Sequence, residues 1–253
     1  MRLIVLTDID DTLMQTERKC PAGQDVTVGA LSAAGAPGSF MTRKQAQLWS
    51  LLEKHADLCI PVTARSQSGL ERVQLKFGAG AVVDFGATIL NTDGVPDPEW
   101  AAEMARESEE LDQAGTFQAL QDILTTRFDS LSLARVHHSA GIAAYLQLRS
   151  TTPAEHAELV DYARQLLTSA PDDYYLHITD RDLCVLPRFV GKGHAVRHLR
   201  ATQNWDETAL VLGLGDSLTD ADFMTEADFL VAPGSSRLSK FLLTSVTQRG
   251  EHV

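Results

Sequence analysis

Apolar residues fall into short unbroken runs near both ends of the chain and into alternating or helical spacing in the middle. Residues 2–7 form a strand-length apolar, β-rich run that ends in acids, as a buried parallel strand does. Residues 41–56 carry Ala46, Leu48, Trp49, Leu51 and Leu52 at helical spacing, and 58–63 read as a second strand. A helix over 69–77 is closed by Gly78, and short strands at 81–83 and 88–90 flank a turn at Gly86. The middle of the chain has its own rhythm. Helices are predicted over 100–111 and 116–128, and half-buried strands over 131–137 and 143–148, joined by a turn at 139–141. A helix over 153–168 follows, with Thr152 as N-cap, Pro153 at its first position and Glu155 closing a capping box. Strands at 174–178 and 182–186 end this region. The β/α alternation then resumes: helix 192–203, strand 209–213, helix 218–225, strand 229–231 and helix 238–245.

This order predicts an α/β protein with a Rossmann-like, three-layer parallel-sheet core over 1–90 and 184–253. A small α+β module, α-β-β-α-β-β, is inserted at 91–183. Residues 13–42 stand apart, rich in Gly, Ala, Ser and Pro with a faint alternation around 26–31. They are too long for an idle loop and are predicted to be a mobile hairpin or flap.

The chain has 253 residues, 44% hydrophobic and 22% charged, the composition of a folded globular protein. Its 22 Lys and Arg face 34 Asp and Glu, a net charge of −12. Bulk charge of that sign excludes tracking a nucleic-acid backbone or an anionic membrane. A phosphate, if bound, must be held locally by a few cations or a metal. Cys20, Cys59 and Cys184 are odd in number and widely spaced, with no CxxC pair, which points to a reducing compartment. No segment has the ~20 apolar residues of a membrane span. A soluble, cytoplasmic protein is expected.

Acids cluster where ligands of parallel sheets bind, at the carboxyl ends of strands. Asp8-Ile9-Asp10-Asp11-Thr12 follows the first strand. Two carboxylates two residues apart can share a crevice there, one as nucleophile and one handling a proton; they equally suit a solvated turn. Gly213-Leu214-Gly215-Asp216-Ser217-Leu218-Thr219-Asp220 follows a later apolar strand. Oxygen ligands from the two strand ends suit Mg²⁺, while Asp216 or Ser217 also reads as the N-cap of the next helix. Thr63, in the run Pro61-Val62-Thr63-Ala64-Arg65-Ser66, offers a hydroxyl and nearby N–H groups to a phosphate oxygen. Lys192 stands between two glycines at a helix start, where the macrodipole disfavours a cation and a nearby anion accounts for it.

Taken together and in this order, DxDxT at Asp8–Thr12, Thr63, Lys192 and GDxxxD at Gly215–Asp220 resemble the haloacid dehalogenase superfamily of phosphohydrolases. The insertion resembles that family's type 2 cap, and its position is similar to that in the sucrose-phosphate, mannosyl-phosphoglycerate and Cof-type phosphatase branch. The resemblance implies that Asp8 is a nucleophile forming an aspartyl-phosphate and that Asp10 is the acid and base. It implies that Thr63 and Lys192 hold the phosphoryl oxygens. Mg²⁺ would be bound by Asp8, the Asp10 carbonyl, Asp216 and Asp220. Thr12, Ala64 and Arg65 join Thr63 and Lys192 as the implied substrate contacts, and Arg188, just before Lys192, is a candidate to steer an anionic substrate. The departures are Thr219 and Phe85, where the branch usually has Asn, and the long 13–42 stretch. The expected activity is Mg²⁺-dependent hydrolysis of a small phosphate monoester, a sugar phosphate by analogy. A nucleotide or other phosphorylated metabolite is the alternative substrate, and a phosphomutase or a non-catalytic phospho-ligand-binding protein the alternative function.

Overall fold

The computed structural model describes residues 2–169, 173–203, 205 and 208–249. It divides into two compact units, Met1–Asp97 with Lys192–Val253, and Pro98–Gly191. Residues 1, 170–172, 204, 206–207 and 250–253 of the predicted ranges lie outside the described residues.

The first unit is built on β1 (Leu3–Thr7), β4 (Leu58–Pro61), β11 (Leu210–Leu214) and β12 (Phe229–Val231). They form one parallel sheet in the order β12-β11-β1-β4. A parallel bridge between Val62 and Val82 carries it on to β5 (Ala81–Val83), which pairs antiparallel with β6 (Thr88–Leu90). The helices are α1 (Arg43–His55), the single turn α2 (Gln67–Leu70), α6 (Lys192–Thr202), α7 (Leu218–Met224) and α8 (Arg237–Arg249). Central strand β1 is buried from Ile4 onward. Around it Val5, Ile9, Leu13, Met14, Trp49, Leu52, Cys59 and Leu214 pack into one apolar cluster.

Register fixes where chemistry can gather. Thr7 is level with Pro61 on β4 and with Leu214 on β11. Parallel strands ending at the same level release their next residues on the same edge, so Asp8–Thr12, Val62–Arg65 and Gly215–Asp220 emerge together.

Residues 13–42 carry the hairpin that was one of their two expected forms: β2 (Val26–Leu31) and β3 (Pro37–Thr42), laced to the rest of the unit by backbone hydrogen bonds. Gln15 and Phe40 exchange bonds of 2.9 and 2.7 Å, Leu31 donates to the Arg72 carbonyl (2.9 Å), and Gln74 donates to the Gly29 carbonyl (2.7 Å). Those same bonds explain why the helix predicted over 69–77 stops at Leu70. Arg72–Gln74 spend their backbone groups on β2, and Ala30 bridges Val73.

The second unit comprises α3 (Pro98–Glu110), α4 (Gln113–Arg127), β7 (Leu133–Ser139), β8 (Ile142–Arg149), α5 (Pro153–Leu166), β9 (Tyr174–Ile178) and β10 (Asp182–Pro187). Its sheet is antiparallel, β7-β8-β10-β9. Phe117 and Leu124 of α4 and Leu159 and Val160 of α5 cluster with Leu146, Leu148, Leu183 and Val185 of the sheet. The predicted N-cap of α5 is present, with Thr152 Oγ1 accepting from the Glu155 N–H at 3.2 Å, while the Glu155 carboxylate accepts from the Thr151 N–H (2.6 Å). The boundaries differ from the sequence reading of 91–183. β10 pairs with β9 from Leu183↔Ile178 to Pro187↔Tyr174, which keeps 184–187 in the second unit. All three cysteines are free thiols. Among the described residues, no helix is long and apolar enough to cross a membrane.

Candidate active site

Asp8 is the first residue beyond β1. Its N–H donates to the Leu214 carbonyl (2.8 Å), which holds the chain against β11 as it leaves the sheet. Asp11 then takes a left-handed conformation (φ 62°), and its N–H donates to the Met14 carbonyl (2.7 Å). The resulting tight turn leaves Asp8 buried and Asp10 half exposed.

Lys192 joins the two predicted acidic clusters. Its Nζ lies 2.7 Å from Asp8 Oδ1 and 2.6 Å from Asp220 Oδ1, with all three side chains buried. A buried ammonium would be costly alone; the two carboxylates hold its pKa up against the desolvation that lowers it. Lys192 reaches so far because α6 starts close to α7. A Cβ at Gly193 would collide with the Asp222 carboxylate. Gly215 does the same for the strand end, since a Cβ there would overlap Asp220.

Asp220 is satisfied on both oxygens. Its Oδ2 accepts from the Asp216 N–H (3.1 Å), the Ser217 N–H (2.9 Å) and Ser217 Oγ (2.7 Å), a capping box that opens α7. Hydrogen bonds and Lys192 hold Asp220 below the usual carboxylate range despite its burial. Thr219, at the departure from the family pattern, sets its hydroxyl 2.8 Å from Ser217 Oγ and so backs the same box.

Asp216 lies on the other side of the cluster. Partial burial, with Asp220 and Asp11 nearby, pushes it up to about 7. Burial also pushes Asp8 well above the carboxylate range, with Lys192 pulling the other way and Asp220 and Asp10 adding to the rise. Carboxylate oxygens of Asp8, Asp216 and Asp220 all lie within 4.8 Å of one another. The donor set is all oxygen and carries more negative charge than Lys192 balances, so it fits a hard divalent cation such as Mg²⁺.

On the β4 side, Thr63 is fully buried. Its N–H donates to the Val82 carbonyl (2.9 Å), and its Oγ1 accepts from the Arg65 N–H (3.2 Å). The backbone donor is therefore spent, whereas the hydroxyl keeps its proton to give. The loop is clamped from behind by Asp84 and Phe85, consecutive residues at φ 51° and 60°. Their N–H groups donate to the Arg65 and Thr63 carbonyls at 2.8 and 3.1 Å. Thr12 Oγ1 stands 3.3 Å from Asp8 Oδ2. Ala64 is half-buried beside Thr63.

Arg65 has a partner that the sequence did not reveal: it grips Asp10 with a two-pronged pair, Nε to Oδ2 at 2.6 Å and Nη2 to Oδ1 at 2.7 Å. The structure thus brings Asp8, Asp10, Thr12, Thr63, Ala64, Arg65, Lys192, Asp216 and Asp220 into the first unit's strand-end cluster. Arg188 belongs to the second unit, where its N–H donates to the Asp173 carbonyl (2.8 Å).

Sequence reasoning missed Ser39 and Gln45, and named Ser217 as a candidate N-cap, the place it takes at the start of α7. Gln45 Nε2 donates to the Thr12 carbonyl (3.2 Å), and Gln45 closes a capping box with Thr42 at the start of α1. The Thr-x-x-Gln spacing was a usable signal for Gln45. Ser39 carried none.

Strand order, aligned strand ends and an inserted α+β unit can be compared with solved structures. The sucrose-phosphatase of Synechocystis sp. PCC6803, in complex with sucrose and phosphate, covers 98% of this chain and 98% of its own at 14% identity, with a TM-score of 0.57. The chain shares that fold. The C-terminal domain of the C. albicans trehalose-6-phosphate phosphatase is also similar: 19% identity, 88% of this chain, 73% of that one, TM-score 0.52. So is Thermoplasma acidophilum 0175, at 15% identity over 96% of this chain and 89% of its own, TM-score 0.55. No family model and no curated protein matches the sequence. In this shared fold the Asp8 cluster sits where β1, β4 and β11 end.

Proposed function

We propose that the protein is a Mg²⁺-dependent phosphatase of small phosphate monoesters, with a sugar phosphate as its substrate class. One observation carries the reading: Lys192 bridges Asp8 and Asp220 beside Asp216, a buried anionic cluster at the strand ends. Such a cluster needs a cation and can then receive a phosphate. The sugar-phosphate class rests on the sucrose-phosphatase and trehalose-6-phosphate phosphatase that share the fold.

In this reading Asp8 and Asp216 would hold Mg²⁺ with the Asp10 carbonyl, while Asp220, already bonded on both oxygens, borders the site and fixes Lys192. When bound, the ion would offset the negative charge of the phosphoryl group. A carboxylate oxygen of Asp8 attacks phosphorus as the ester P–O bond breaks, and Asp10 gives a proton to the leaving oxygen. Asp10 then takes a proton from water, which attacks the aspartyl-phosphate, releases inorganic phosphate and restores Asp8. The Thr63 hydroxyl and the Lys192 ammonium hold phosphoryl oxygens. Arg65, through its two-pronged pair, positions the Asp10 carboxylate for both proton transfers. Arg188 is also proposed as a substrate contact.

The test is phosphate release from a panel containing sucrose phosphate, trehalose 6-phosphate, nucleotides and an aryl phosphate, with Mg²⁺ or EDTA. Metal-dependent turnover that favours a sugar ester supports the reading. Tight binding of the esters without release would make the protein a phospho-ligand binder.

A further inference from the structure

We propose that Ser39, carried by the β2–β3 hairpin, is a positioning residue for Asp10 and acts through Arg65. The inference rests on the phosphatase reading for Asp10 but concerns a segment that the family resemblance does not cover.

A two-pronged guanidinium–carboxylate pair fixes the two groups relative to each other, not relative to the protein. The Asp10 side chain is 49% exposed and that of Arg65 only 17%, so the anchoring has to come from the arginine side. Two contacts supply it. Nη1 donates to the Gly69 carbonyl at a long 3.4 Å, and Nη2, already on Asp10, also donates to Ser39 Oγ at 3.2 Å. Ser39 is the hydroxyl that holds the prong facing Asp10.

The hairpin is built to deliver that hydroxyl. Ser39 is buried and pairs with Ala30, and both register irregularities of the hairpin fall at Ala30. A bulge of this kind re-aims the side chain opposite it. Ala30 is itself held from the far side by its bridge to Val73, and Phe40, next to Ser39, is locked by its two bonds to Gln15. Backbone bonds thus fix the strand on both sides of the serine, leaving a short rigid path from hairpin to Arg65 to Asp10.

The experiment is a double-mutant cycle with Ser39→Ala and Arg65→Lys, assayed on an aryl phosphate with Mg²⁺, together with hydrogen exchange of the Arg65 Nε–H in metal-free protein. Loss of one hydrogen bond to a charged group lowers kcat about fivefold, with KM changed by less than about twofold. In the Arg65→Lys background Ser39→Ala has no further effect, because the group it steers is gone. Ser39→Thr, which keeps the hydroxyl, recovers kcat. Arg65 Nε–H exchanges faster in Ser39→Ala than in the wild type. The same loss in both backgrounds, an unchanged kcat, or unchanged exchange overturns the proposal. Wild-type protein silent on every ester would overturn the phosphatase reading instead, and the exchange measurement would still decide the role of Ser39.

Discussion

The two units spend their burial on opposite kinds of side chain. The second encloses Phe117, Leu124, Leu146, Leu148, Leu159 and Leu183, and among its described residues no charged side chain is buried. The first buries Asp8, Asp84, Lys192 and Asp220 beside its hydrocarbon. Apolar burial stabilises a fold directly, whereas buried charge is held only as well as its partners hold it. The contrast separates a unit organised for packing from one whose interior is partly organised for chemistry.

The largest expected effect breaks the chemistry and spares the packing. Asp8→Asn keeps an acceptor for Lys192 but removes the nucleophile, and should cut phosphate release by on the order of 10⁴-fold or more. An unchanged rate under the same assay would end the aspartyl-phosphate mechanism. Lys192→Met leaves Asp8 and Asp220 facing each other without their cation and should destabilise the first unit by about 3–5 kcal/mol. Phe117→Ala, in the apolar interior, should cost a similar ~3–5 kcal/mol in the second unit. Amide hydrogen exchange, read separately for each unit, distinguishes the two losses. Added Mg²⁺ should change the effect of the first variant and not of the second.

A smaller effect follows from pH. Asp216 sits at about 7 in the fold against 3.8 when unperturbed. Between those values the folded chain holds a proton that the unfolded chain has lost, so stability falls as pH rises through the window, and the deficit is complete above it. Mg²⁺ should therefore raise the melting temperature more at about pH 8 than at about pH 5, and Asp216→Asn should flatten the difference. The smallest change sharpens the packing side of the comparison. Ala140 and Gly141 form the two-residue turn between β7 and β8 at φ 46° and 91°. Asparagine tolerates that region better than alanine, so Ala140→Asn should stabilise the second unit by about 1 kcal/mol, seen as a rise in its denaturation midpoint.

Most of this contrast was legible in the sequence, for local reasons. The strands of the first sheet are unbroken apolar runs, the α5 cap is a three-residue signal, and the acids sit directly after strands. The helix expected over 69–77 failed because its backbone groups went to a hairpin some forty residues earlier, an exchange no local pattern records. The Arg65–Asp10 pair was hidden for a similar reason. The register of β1 and β4 brings Asp10 within reach of Arg65, and a basic residue near a phosphate-binding sequence looks the same whether it meets substrate or its own protein. Lys192 was easier, since a cation at a helix start is locally unfavourable and so announced a distant anion.

The first unit is assembled from both ends of the chain. During synthesis the ribosome releases Asp8, Asp10 and Thr63, then the whole of the continuous second unit, and only afterwards Lys192 and β11, the neighbour that β1 requires. Lys192 and Asp8 are 184 positions apart, so their ion pair closes a very long loop and belongs to the last events of folding. Until then the nascent chain carries the acids without their ammonium partner. The second unit, a single stretch, folds while the first still waits for its missing strand.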